Sequence, residues 1–162
     1  MAEKVLNFDC LEDNYEGLLS PDDVYLFYYD IGIDSETGNS FIYVWDDKIE
    51  QFAKDNNLVI IDCDAASIPT TFSENKIYFT VGDKDNGNKA VAFFRHLRDA
   101  FAHYHIGTSG DYYCMKDFRR PEKTVTMIGK IHHSLLKGLL EVFFEQKAKE
   151  EDRMYKLSHP DI

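Results

Sequence analysis

The stretch HLRDAFAHYHI, residues 96–106, places Arg98, Asp99 and His103 in a run of Leu, Ala and Phe, with His96 and His105 beside them. Each type brings a distinct chemistry. An arginine offers a fixed charge that matches phosphate oxygens. A histidine can give or take a proton. A carboxylate that holds one imidazole nitrogen fixes the tautomer of the other. On a helical wheel of about 100° per residue, Arg95, Asp99 and His103 form an i, i+4, i+8 row on a polar face shared with His96. Asp99 is then placed to accept from Arg95 or His103. A solvated salt-bridge row has the same spacing. Arg98 stands at the edge of the apolar stripe, where its stem can snorkel to water. It lies about 140° from His103 on an ideal helix. One substrate can meet both only if the last turn distorts or two chains contribute.

The elements that must hold this row are legible in part. Asn88 is a cap for a helix running to about His105, with Ala90, Phe94, Leu97, Phe101 and Tyr104 as its packed seam. A hairpin around Gly107–Asp111 follows. Thr124 then reads as the cap of a final long helix, whose stripe is Ile128, Ile131, Leu135, Leu139, Val142 and Phe143. Two long helices joined by a short hairpin are expected to pack antiparallel. The tail EDRMYKLSHPDI reads as frayed. Earlier in the chain, Ser20, Pro21, Asp22 and Asp23 favour a helix start over a strand. SFIYVWDDKIEQFAKDNN reads as a helix ending at Asn56–Asn57, with Asp46 and Asp47 at a helix start. Leu58–Ile61 and Ile77–Val81 read as short strands or turns within a long connection.

Composition narrows the classes. The 162 residues suit one domain spanning 1–162, and 44% apolar residues suffice for one core. A net charge of −11 argues against a broad nucleic-acid-binding surface. The charge is uneven: residues 86–133 carry eight Lys/Arg and four Asp/Glu, a net of +4, which leaves −15 elsewhere. Five of the six histidines lie in that segment, so an anionic partner is expected there. Cys10, Cys63 and Cys114 have no CxxC spacing and read as reduced thiols of a cytoplasmic protein, with neither a zinc site nor a disulfide framework. MAEKVLNFDCLED has no apolar signal core, and no run is long enough for a membrane span. No metal or cofactor is expected. His132–His133 fall inside the expected last helix. Trp45, Tyr112 and Tyr113 are expected to pack in the core or hairpin rather than stack on bases.

LRDAFAH, with the hairpin and long helix after it, resembles the motif of the HEPN superfamily (higher eukaryotes and prokaryotes nucleotide-binding domains): an Arg, a polar residue and, a few residues on, a His. The similarity covers roughly residues 86–148 and points to small stand-alone bacterial or plasmid-borne members. It implies a mainly α-helical up-and-down bundle that forms a homodimer, with the hairpin between the last two long helices. It also implies metal-independent endoribonuclease activity at a cleft between two chains, in a toxin or phage-defence setting with an antitoxin partner. By this resemblance, His103 is the general acid or base, Arg98 stabilises charge at phosphorus and Asp99 orients the pair. Arg95, His96, His105, Lys116 and Arg119 form the candidate substrate-binding set for RNA or a nucleotide. Non-catalytic members imply the alternative of a module that binds a nucleotide, RNA or a partner protein. Position 104, commonly Gly in that family, is Tyr here.

Overall fold

A computed structural model describes residues 20–33, 44–119 and 123–160. Helix α1, Pro21–Tyr25, starts where Ser20 and Asp23 exchange bonds: the Asp23 N–H donates to Ser20 Oγ at 3.2 Å and the Ser20 N–H to Asp23 Oδ2 at 3.0 Å. It continues as a π-helix over Leu26–Ile33, which buries Leu26, Phe27 and Ile31. The start signals therefore outweigh the strand-like aromatics of this segment. Helix α2, Asp47–Asp55, is capped by Asp46, whose Oδ1 accepts from the N–H groups of Lys48 and Ile49. The expected beginning of that helix at residues 40–43 lies outside the described residues.

The two apolar runs are strands β1, Val59–Asp62, and β2, Lys76–Phe79, paired in parallel. Asn88 caps helix α3, Lys89–Ala102, by accepting from the N–H groups of Ala90 and Val91. Strands β3, Ile106–Ser109, and β4, Tyr112–Arg119, form the expected hairpin.

The expected helical bundle is overturned at the next element. Residues Thr124–His132 form strand β5, and helix α4 begins only at His133 and runs to Ser158. β5 lies between β2 and β4, so the protein is an α/β fold around one mixed five-stranded sheet in the order β1-β2-β5-β4-β3. The reason is local. Val125, Thr126, Ile128 and Ile131 are β-branched and Gly129 weakens a helix, so the segment favours extended backbone. Met127 and Ile131 join the main core, whereas Ile128 is buried outside that cluster. The two isoleucines expected on one helical stripe thus face opposite sides of a sheet. His132, not Thr124, caps the last helix, its Nδ1 accepting from the Ser134 N–H at 3.2 Å.

Helices α3 and α4 cover one sheet face. Trp45 sits at the centre of their aromatic packing, with ring centroids 6.3 Å from Phe79, 5.8 Å from Phe93 and 5.4 Å from Phe143. Gly129 lets β5 approach β2 closely: a Cβ there would lie 3.0 Å from Ile77 Cγ1. Leu136, Leu139, Leu140 and Phe143 bury the first half of α4. Past Lys147 the helix leaves the body. Every residue from 148 to 158 except Glu150 is exposed, yet the expected frayed tail is helical as far as Ser158, laced by Lys149–Glu145 at 3.4 Å and Lys156–Asp152 at 2.9 Å. No helix among the described residues is long and apolar enough to cross a membrane.

Candidate functional site

The polar row of α3 does not face water along its length, because β4 and the Thr80–Asp85 stretch after β2 fill the side where the bundle left solvent. His96 is 1% exposed. Its Nε2 lies 2.8 Å from the Thr80 carbonyl, which can only accept, so Nε2 carries a hydrogen; the 3.2 Å approach of Arg95 Nη2 is then a contact rather than a bond. Nδ1 lies 2.7 Å from Asp117 Oδ2. Both ring nitrogens therefore face acceptors. Asp117 comes from β4, whose alternation turns Tyr113, Met115 and Asp117 toward α3.

Arg95 anchors the row. Its Nε and Nη2 donate to the two oxygens of Asp85 at 2.6 and 3.0 Å, a bidentate fork on a fully buried carboxylate. The Gly82 N–H adds a third bond at 2.9 Å. Burial alone would raise the Asp85 carboxyl, but the Arg95 guanidinium and the Gly82 N–H outweigh it and hold the group below its ordinary value. Burial likewise acts to lower the Arg95 guanidinium, and Asp85 overcomes it. Arg95 Nη1 also lies 3.5 Å from Asp99 Oδ2 and 3.9 Å from Asp117 Oδ2. One arginine thereby gathers three carboxylates from three elements.

Toward the open end, Arg98 Nε and Nη2 both donate to Asp99 Oδ1, at 3.1 and 2.9 Å. Asp99 is thus held by Arg95 and Arg98, and not by His103 as the wheel allowed. Both Arg98 and Asp99 are about a quarter exposed. Helix α3 stops at Ala102, three residues before the expected end, and His103 is its C-cap. Tyr104 takes φ +62° and is 45% exposed, so it leaves the seam. This is the left-handed position after a helix that favours glycine. The reversal swings His103 into solvent; its ring makes no hydrogen bond to any described residue and lies 6.1 Å from His105. The His105 ring in turn meets Phe118 edge-on at 5.1 Å.

Around the end of α3 the structure brings His103 beside His105, a little over one turn past the Arg98–Asp99 pair, with Arg119 exposed at the end of β4. It does not bring Lys116 there as a surface cation: Lys116 is 7% exposed, on the other sheet face, with Nζ 5.3 Å from the Phe72 ring centroid. Arg95 and His96 position the row from within rather than meet an incoming molecule. His132 and His133 stand at the β5–α4 junction, with ring centroids 4.5 Å apart: His132 closes β5 and caps the helix, and His133 is its first residue. Asp85, Asp117 and Thr80 were not singled out by sequence. Asp85 sits in GDKDNG, which reads as a turn, and only the strand alternation of YYCMKDF could have turned Asp117 inward. Among the described residues no group of three or more His, Cys, Asp or Glu could hold a metal ion. No protein-family model, no curated protein and no solved structure matches this chain.

Proposed function

We propose that the end of α3 is a site for RNA phosphodiester cleavage, with His103 as the proton-transfer group and Arg98 as the cation that meets the developing phosphorane charge. The observation that carries this reading is the placement of His103. It is an exposed imidazole that makes no hydrogen bond to a described residue, beside a second imidazole and five residues along the chain from a partly exposed guanidinium whose carboxylate is itself anchored by Arg95. In the step, an imidazole removes the ribose 2′-OH proton and the 2′-oxygen attacks phosphorus. The P–O5′ bond breaks and the leaving oxygen takes up a proton, giving a 2′,3′-cyclic phosphate and a 5′-OH. Arg98 is supplied by the same chain or, as the resemblance implies, by a second chain facing the first.

The test is cleavage of mixed RNA in EDTA, with end-group analysis. Wild type is expected to give cyclic-phosphate ends and His103→Ala to give none while keeping its fold. Intact RNA after prolonged incubation with wild type across many sequences refutes the enzyme. Light scattering that finds only monomer at active concentrations removes the two-chain form of the site. One observation favours the alternative of a non-catalytic RNA- or nucleotide-binding module: Arg98 donates twice to the neighbouring Asp99, which holds the guanidinium in place before any substrate arrives. Binding without cleavage is its signature.

A further inference from the structure

The sheet has a second face, away from α3 and α4. Ile77, Tyr113, Met115 and Ile131 point into the main core, so their neighbours Lys76, Tyr112, Lys130 and His132 point the other way. On that face Lys76 and Lys130 are direct cross-strand partners. Lys76 is exposed and Lys130 half-buried, and neither has a carboxylate partner among the described residues. Two like charges placed opposite each other across an antiparallel pair destabilise a sheet. In a chain of net charge −11 this is a place where acidic neighbours were available and are not used. Beside the lysines runs a row of rings. Lys130 Nζ lies 5.3 Å from the Tyr112 ring centroid, Tyr112 meets His132 edge-on at 5.4 Å, and His132 stacks on His133 at 4.5 Å. Two acids adjoin the row at Tyr112: Glu74, which accepts from the Tyr112 hydroxyl at 3.3 Å, and Asp111, the residue before it.

We propose that this corner of the sheet, Lys76, Lys130, Tyr112 and His132, binds single-stranded RNA. The choice of occupant rests on charge and shape together. A lysine pair on a rigid strand pair addresses adjacent phosphates, and half-exposed rings beside it offer faces to unpaired bases. A duplex keeps its bases stacked and cannot use the rings. This extends the cleavage reading above by giving the substrate a docking track apart from the reacting end. It rests on that reading for the choice of RNA.

The test uses the full chain, with a fluorescein-labelled 20-nucleotide oligouridine and anisotropy across a salt series. A K76Q/K130Q variant, checked for fold by circular dichroism, is expected to bind at least tenfold more weakly. Its salt dependence should flatten by a slope of about 1.4, two phosphates at roughly 0.7 each. Tyr112→Leu is expected to weaken binding with the slope unchanged. In cleavage assays KM should rise tenfold with kcat unchanged. Wild-type affinity and slope in the double variant overturn the track, as does a duplex or polyglutamate competing as well as the oligouridine. The two proposals fail separately: cleavage indifferent to both lysines removes the track alone, and lysine-dependent binding without cleavage removes the enzyme alone.

Discussion

Replacing Arg95 with methionine tests whether the α3 row is organised from inside. The substitution keeps the apolar stem and removes the fork on Asp85. That carboxylate is 0% exposed and would lose bonds of 2.6 and 3.0 Å while keeping the one from Gly82 at 2.9 Å. Breaking one side of a buried ion pair leaves an uncompensated charge, at a cost of about 3–5 kcal/mol. Against a domain stability on the order of 5–15 kcal/mol, that is about a fifth or more of the total. With a urea m-value of roughly 2 kcal/mol/M, the midpoint should fall by about 2 M. Trp45, the single tryptophan, is half-buried against the core and reports unfolding. Asp85→Asn alone should also destabilise, and the double variant should lose at least about 2 kcal/mol less than the sum of the singles. Acid titration gives the sign. Asp85 has a depressed carboxyl in the folded state, so its contribution is full above the unfolded value of about 4 and is lost as pH falls through the lower folded value. Asp85→Asn should therefore flatten the acid limb of the stability curve. A loss under about 1 kcal/mol for Arg95→Met, or additive singles, would refute this reasoning.

Other expected outcomes follow from single positions. His103→Ala should lower cleavage by about 10²–10⁴-fold with almost no change in Tm, because the ring is exposed and makes no hydrogen bond to a described residue; a large drop in Tm would mean that it packs. Tyr104→Gly should stabilise by about 1 kcal/mol by relieving φ +62° at a 45% exposed site, read as a higher urea midpoint. Gly129→Ala should cost about 1–3 kcal/mol, since the new Cβ would meet buried Ile77 at 3.0 Å; an unchanged Tm would show that the strands yield. Lys76→Gln should raise stability by a few tenths of a kcal/mol by removing the repulsion across the Lys76–Lys130 pair, and a neutral or lower midpoint would count against that repulsion.

Capping chemistry carried much of the fold in sequence. Ser20, Asp46 and Asn88 all start helices as their side chains suggest, and Gly107–Asp111 makes its hairpin. The sheet was hidden because its strands do not alternate cleanly. β4 is buried from Tyr113 to Asp117 on both faces, and β5 from Thr126 to Gly129. A strand covered on both sides reads as a continuous apolar run, and in VTMIGKIHHSLL that run merges with the helix after it. The site inherited the same error. A wheel places Arg95, Asp99 and His103 in one row, but it cannot know that β4 and the Gly82–Asp85 turn supply acids to one end of it. It also continues the helix through Tyr104, where a left-handed residue turns the chain. Arg98 and Asp99 were legible as neighbours; their shared dependence on Asp85 was not, since it spans ten residues and a turn.

The distal part of α4 has a consequence for how the molecule exchanges hydrogens. Its 26 residues extend on the order of 39 Å at about 1.5 Å per residue, and only the first half is clamped by the core. Amides around Leu139 and Phe143 should open only when the whole protein unfolds, whereas those past Lys147 depend on side-chain pairs such as Lys156–Asp152. Protection along one continuous helix should therefore fall in a gradient toward Ser158, and the outer turns alone should lose protection further as salt screens those pairs.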